Sequence, residues 1–134
     1  MPHKNAKIFI ADDDADILQI IAMMLQTQGY NVHISNNAND IFSYPEEDLP
    51  DLILLDIWMS GIDGREIFTR LKKNPDTKNI PVLFISANSS IEEIAEEFKA
   101  DGFIAKPFEM EYLLKRIRSI VEEKTTAKST LATG

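Results

Sequence analysis

The sequence predicts an α/β chain built on a doubly wound, five-stranded parallel sheet flanked by five helices. Three observations predict it. Short β-branched and aromatic runs alternate with helix-period stretches along the whole chain. The most apolar run, Leu52-Ile53-Leu54-Leu55, has no polar face, which suits a central parallel strand covered by helices on both sides. Finally, the strand-like runs end on residues that carry chemistry: Asp12-Asp13, Asp56 and Ser86, with Lys106 just after the last run.

Each element follows from local pattern. Ile8-Phe9-Ile10-Ala11 reads as a strand that stops at three aspartates. Ile17, Leu18, Ile21, Met24 and Leu25 then recur at three- and four-residue steps and make one helical stripe. Asp14 is placed to cap that helix, and Gly29 stands where a left-handed residue ends one. Tyr30 to Ser35 alternates Val32 and Ile34 with polar residues, as a strand does. A weaker helical patch covers Ala38 to Tyr44 and breaks at Pro45. After Leu52–Asp56, a loop with Gly61 and Gly64 leads into a helix over Arg65–Lys73, with Ile67, Phe68 and Leu71 inward. Pro81–Ile85 is the next strand, its proline tolerated at the first position. Ser90-Ile91-Glu92-Glu93 reads as a capping box opening a helix with Ile91, Ile94, Ala95 and Phe98 on one side. Asp101-Gly102 turns the chain into Phe103-Ile104-Ala105, and a last helix spans about Glu109 to Glu122.

The chain has 134 residues, the size of one domain, with 44% hydrophobic and 27% charged residues. Residues 1–6 read as a short lead, 7–122 as the domain, and 123–134 as a polar tail or the start of a linker. The 14 Lys and Arg against 22 Asp and Glu leave a net charge of −8, which argues against nucleic acid or an anionic membrane as the main partner. With no cysteine, disulfides, zinc–thiolate sites and cysteine nucleophiles are excluded. Met1–Asn5 has no apolar segment behind it and does not read as a secretory signal. Ile17–Leu25 is too short to cross a bilayer, so the expected location is the cytoplasm. Glu92-Glu93 and Glu96-Glu97 read as the solvated face of a helix, and His3 and His33 have no neighbours that suggest a role.

In an open parallel sheet, ligands bind beyond the carboxyl ends of the strands. Three carboxylates, a hydroxyl and an ammonium should therefore converge there. Carboxylates within a few ångströms repel by roughly a few kcal/mol per pair at intermediate dielectric, and one lysine does not balance three of them. A hard divalent cation is implied, and Mg²⁺ with open positions suits an all-oxygen set. Beside a carboxylate, a hydroxyl and a lysine, such a site is equipped to hold a phosphoryl group.

These motifs, in this order, resemble the response-regulator receiver domain of two-component signalling: Asp12-Asp13 after the first strand, Leu54-Leu55-Asp56 at the third, Ser86-Ala87 at the fourth and Lys106-Pro107-Phe108 after the fifth. The resemblance covers roughly Lys7 to Glu122. It implies the flavodoxin-like strand order 2-1-3-4-5 of the chemotaxis regulators. Asp56 is then similar to the phospho-accepting aspartate, Asp13 to a direct Mg²⁺ ligand, and Asp12 to the acidic residue acting through water. Trp58 would lend its backbone carbonyl to the ion. Ser86 resembles the hydroxyl that moves onto the phosphoryl group, Lys106 the lysine that contacts it, and Pro107 the cis-proline. Phe103 falls at the switch aromatic. The cofactor implied is one Mg²⁺, with Mn²⁺ able to replace it.

The partners implied are a sensor histidine kinase or histidine phosphotransfer protein and a downstream protein reached through the last two helices and last strand. A phosphorylation-dependent dimer is a further option, while neither direct nucleic-acid binding nor membrane insertion is expected. The chain would catalyse only its own phosphorylation and dephosphorylation, so it is not read as an enzyme in the usual sense. No output domain is read after residue 122, leaving a stand-alone regulator or the receiver of a longer protein. Two departures stand out: Ser60 occupies a usual proline position, and Trp58 is large for its place beside the acceptor. With Asn88, Trp58 sits where the family tunes loss of the phosphoryl group, and its ring is expected to shield the acyl phosphate. An alternative is a phosphohydrolase of the haloacid dehalogenase type, but its second aspartate is Trp58 here and no cap domain is read. A receiver fold kept only for docking, and a flavodoxin-like cofactor binder, are the remaining alternatives. The intact polar set weighs against the first, and the lack of a phosphate loop after the first strand weighs against the second.

Overall fold

A computed structural model describes residues 6–59 and 61–133, with side chains described through residue 122. Five parallel strands form the sheet: β1 (Lys7–Ala11), β2 (Asn31–Ser35), β3 (Leu52–Asp56), β6 (Val82–Ser86) and β7 (Gly102–Ala105). Their order is β2-β1-β3-β6-β7, the doubly wound arrangement the resemblance implied. Every residue of β3 and β6 is buried, so the two most apolar runs lie at the centre of the sheet. One apolar cluster, with Phe9, Ile53, Phe68 and Phe84, covers one face of the sheet. The other, with Ile10, Ile21, Leu54 and Ile117, covers the opposite face. Burying each such side chain contributes about 1.5–3 kcal/mol.

The helices are α1 (Ala15–Thr27), α2 (Gly64–Lys73), α3 (Ile91–Phe98) and α4 (Met110–Thr133). Asp14 caps α1 through hydrogen bonds from the N–H groups of Asp16 and Ile17, and Gly29 leaves the helix at φ 92°. Three expectations need correction. The second crossover is not an α-helix but two 3-10 turns, Ala38–Ser43 and Glu46–Asp48, which leaves four α-helices and not five among the described residues. Its short polar side chains bind their own backbone: Asn37 Oδ1 accepts the Asn39 N–H at 3.0 Å, and the Ser43 hydroxyl donates to the Asp40 carbonyl at 2.7 Å. Such bonds compete with the helical ladder.

The capping box at Ser90 does not form, because its backbone (φ −92°, ψ 13°) is not extended and its hydroxyl makes no cap bond. Asn88 Oδ1 instead accepts the Ser90 N–H at 2.8 Å. The last helix runs on to Thr133 rather than stopping at Glu122, since no Gly or Pro interrupts the sequence until Gly134. The structure also adds an antiparallel hairpin, β4 (Trp58–Met59) with β5 (Ile62–Asp63), directly after β3.

Candidate functional site

The carboxyl ends of β1, β3, β6 and β7 bring the polar residues together. Parallel register sets Ala11 beside Leu55, Asp56 beside Ile85 and Ser86 beside Ala105, so the residues that follow share one rim of the sheet. Asp12, Asp13 and Asp56 each present a carboxylate oxygen, and these lie within 4.8 Å of one another. Asp12 is wholly buried and Asp56 is 5% exposed, while Asp13 reaches solvent. Lys106 comes in from the end of β7, its ammonium 2.7 Å from Asp12 Oδ2 and 3.5 Å from Asp56 Oδ2. Asp12 Oδ1 accepts the Asp14 N–H at 3.0 Å, and Asp56 Oδ1 accepts the Trp58 N–H at 3.1 Å.

The electrostatics are strained in a direction that matters for function. Burial pushes the Asp56 carboxyl up from 3.8 to about 6; the Trp58 N–H and Lys106 pull it down, and Asp12 pushes it further up. Burial pulls the Lys106 ammonium down, but the carboxylates of Asp12 and Asp56 outweigh it and leave its pKa raised. A buried carboxylate crowded by like charge and served, among the described residues, by the Lys106 ammonium lacks positive charge. All-oxygen donors on one side of a solvent-reaching rim fit a hard divalent cation.

The remaining candidates lie around this cluster. The Ser86 hydroxyl accepts the Asn88 N–H at 3.0 Å, and the Ser86 carbonyl accepts the Lys106 N–H at 2.9 Å, so Ser86 stands on the same rim. Asn88 is exposed and its side chain is engaged with Ser90. The Lys106–Pro107 peptide is cis. Phe103 is not at the rim: it pairs with Phe84 within the sheet and packs half-buried against the cluster under α2 and α3. Trp58 is 61% exposed, so its indole stands mostly in solvent beside Asp56. Ser60 and His3 lie outside the described residues, and His33 contacts the Tyr44 ring away from the rim.

Sequence reasoning missed the β4–β5 hairpin, although Met59 and Ile62 flanking Gly61 (φ 80°) carried its signal. It also missed the Asp63–Arg65 pair, in which Arg65 Nε and Nη2 donate to Asp63 Oδ1 and Oδ2 at 2.9 and 2.8 Å. Beside Lys106, an apolar cleft of about 370 Å³ is lined by Ile17, Ile20, Ala87, Pro107, Phe108 and Met110. Ile20 is 53% exposed, and Met23, three residues further along α1, is 64% exposed. Among the described residues no helix is long and apolar enough to cross a membrane.

Comparison with known proteins agrees with the fold. The family model of the response regulator receiver domain matches residues 8–118. The transcriptional regulatory protein YkoG of Bacillus subtilis is 30% identical over 132 residues, covering 97% of this chain and 57% of YkoG. The DNA-binding dual master transcriptional regulator RpaA of Synechocystis is 32% identical over 117 residues, covering 86% of this chain and 48% of RpaA. The chain thus spans about half the length of the curated relatives it matches. Among solved structures, a response regulator from Chloroflexus aurantiacus superposes with a TM-score of 0.80 at 28% identity, covering 89% of this chain and 99% of that one. The chemotaxis response regulator CheY4 of Vibrio cholerae does so with a TM-score of 0.78 at 26% identity, covering 87% and 99%. The expectation of no direct nucleic-acid binding is not borne out, since the relative RpaA is named as DNA-binding. A net charge speaks only for the residues counted, not for what a receiver of this kind is joined to.

Proposed function

Starting from the fact that this chain belongs to the response regulator receiver domain family and so to two-component signalling, we propose that Asp56 is its phospho-accepting residue. The observation that carries the reading is the convergence of Asp12, Asp13 and Asp56 oxygens within 4.8 Å, with the Lys106 ammonium between Asp12 and Asp56. The donor is a phosphohistidine on a sensor kinase or phosphotransfer protein. An Asp56 carboxylate oxygen attacks phosphorus, a P–O bond forms, and the P–N bond breaks with its electron pair leaving on the imidazole.

Asp13 and Asp56 would hold one Mg²⁺ directly, Asp12 through water, and Trp58 through its backbone carbonyl, with Mn²⁺ able to replace it. When bound, the ion supplies positive charge to the equatorial oxygens of the transferring group. Lys106 neutralises a further oxygen, and the Ser86 hydroxyl swings to donate to another once the group is in place. The raised pKa of Asp56 is the cost of a buried acceptor, and cation binding removes it by drawing the proton off. The apolar cleft beside Lys106, with Ile20 on its lining and Met23 exposed on the same helix, supports a protein donor docked against α1.

Phosphorylation then biases Ser86 and Phe103 and reshapes the face made by α3, β7 and α4 for a downstream protein or a second copy. The reaction runs on the chain's own side chain, so this is a cytoplasmic signalling module, not a turnover enzyme. With Mg²⁺ and acetyl phosphate, intact mass should rise by one phosphoryl group in the parent and stay unchanged in Asp56→Asn. Equal labelling of both proteins would overturn the assignment.

A further inference from the structure

Gly64 opens α2 and is buried directly behind the acceptor. Its N–H donates to the Ile57 carbonyl at 2.6 Å, and on the opposite side the Ile57 N–H donates to the Ile85 carbonyl of β6 at 3.1 Å. The peptide that follows Asp56 is thereby held between the sheet and the first turn of α2. A Cβ at position 64 would run into the Asp56 carbonyl oxygen, and would stand 3.0 Å from Ile57 Cα and 3.1 Å from the Asp56 carbonyl carbon. All three are main-chain atoms, so no rotamer change relieves the overlap. Gly61 and Gly102 differ. At Gly61 nothing lies within 4 Å of such a Cβ, and at Gly102 it meets only side-chain atoms, Arg116 Nη2 and Leu83 Cδ2.

We propose that Gly64 is a positioning residue for the carboxylate cluster, acting through the main chain of Asp56. The inference rests on reading that cluster as the cation- and phosphoryl-binding site. Because Gly64 has no side chain, α2 closes on the Asp56–Ile57 peptide and fixes where the Asp56 carboxylate and the Trp58 carbonyl stand relative to Asp12 and Asp13. A methyl group there displaces that peptide by a large fraction of an ångström. Displacements of that size lower metal affinity and transfer rate by one to two orders of magnitude.

The test compares Gly64→Ala with Gly61→Ala and Gly102→Ala in the full chain. Mg²⁺ is titrated by calorimetry and by the rise in thermal unfolding midpoint, and acetyl phosphate labelling is timed at saturating Mg²⁺. The expected result is a Mg²⁺ dissociation constant at least about tenfold weaker in Gly64→Ala, with labelling slowed about 100-fold. The two other variants should lose stability yet keep the parent's Mg²⁺ affinity, which separates positioning from mere destabilisation. If Gly64→Ala needs help to fold, the same titration is run in trimethylamine N-oxide. A folded Gly64→Ala with parental affinity overturns the proposal. So does a variant still unfolded in osmolyte, because Gly64 then serves the fold and not the site. A parent that gives no Mg²⁺ response overturns the cation-site reading as well and is told apart by that.

Discussion

Asp56 and Asp63 each end a strand, lie on the approach to α2, and meet opposite electrostatic fates. Asp63 sits at the surface side of the β4–β5 hairpin. Its side chain caps α2 by accepting the Arg65 N–H at 2.9 Å and takes the forked Arg65 guanidinium as well. The Arg65 hydrogen bonds hold its carboxyl below the usual carboxylate range, against a smaller opposing effect of burial. Asp56 has no such fork. Burial drives it up to about 6, and the nearest cation is shared with Asp12. A carboxylate whose charge is satisfied within the chain is a structural part. One whose charge is left short of partners is available for chemistry, and the chain places that one at the carboxyl end of its central strand.

The contrast breaks hardest at Lys106. In Lys106→Met, Asp12 and Asp56 lose their shared cation, and without divalent ions stability at pH 7 should fall by about 3 kcal/mol. Mg²⁺ should restore more stability to this variant than to the parent, because the competing ammonium is gone. Acetyl phosphate labelling should nonetheless drop by about 100-fold for want of a charge on the transferring group. Denaturant unfolding with and without Mg²⁺ checks this. An unchanged midpoint in Mg²⁺-free buffer would mean Lys106 does not balance the cluster.

Asp56→Asn removes the strained charge itself. A carboxyl whose folded pKa lies above its unfolded value binds its proton more tightly in the folded state. Its stabilising contribution is therefore complete below about pH 3.8 and is lost as pH rises through about 6. At pH 7 without divalent cation, Asp56→Asn should be more stable than the parent by about 1–3 kcal/mol. That gain should shrink toward pH 4, and in the parent it should be offset by saturating Mg²⁺. Urea unfolding across pH 4–7 measures it, and a gain independent of pH would show that charge is not the cause.

How far the sequence carried this follows from the same two residues. Asp56 was legible because Leu52–Leu55 announces a buried strand, and a charge at its end has few structural reasons to be there. Asp12, Ser86 and Lys106 were legible because they too stand at or just after strand ends, and α1 was marked at both ends by Asp14 and Gly29. Asp63 was not legible as a partner of Arg65, because a charged pair two residues apart has no periodicity of its own. The second crossover was misread as a helix because Ala38, Ile41 and Phe42 keep helical spacing while Asn37 and Ser43 hydrogen-bond to the backbone instead. Gly64 looked like any loop glycine. Only the three-dimensional approach of α2 to the Asp56 carbonyl makes it distinct.

Asp63→Ala tests the satisfied side of the comparison. It should cost about 1 kcal/mol at pH 7, chiefly from the lost cap, since an exposed ion pair adds less. The sign is the reverse of Asp56. A carboxyl with a lowered folded pKa contributes stability that is present above its unfolded value and lost as pH falls, so the deficit of Asp63→Ala should close below about pH 4. Its Mg²⁺ affinity should match the parent's. A large loss of affinity would show that the two carboxylates are coupled and would dissolve the distinction drawn here.

Trp58 joins the two regions, and it gives the smallest expected effect. Its backbone N–H donates to Asp56 Oδ1, and in the hairpin it pairs with Asp63. A substitution to asparagine leaves both backbone links in place and removes only the indole. Because that ring is 61% exposed, it covers little of the acceptor and can exclude only part of the water that approaches an acyl phosphate. Loss of label from phosphorylated Trp58→Asn should therefore quicken by about two- to fivefold, a change of under about 1 kcal/mol in barrier, with labelling itself nearly unaltered. Following intact mass after removal of acetyl phosphate gives the rate directly. A variant that holds its phosphoryl group as long as the parent would show that water reaches Asp56 by a path the indole does not guard, and would leave the backbone of Trp58 as its whole contribution to the site.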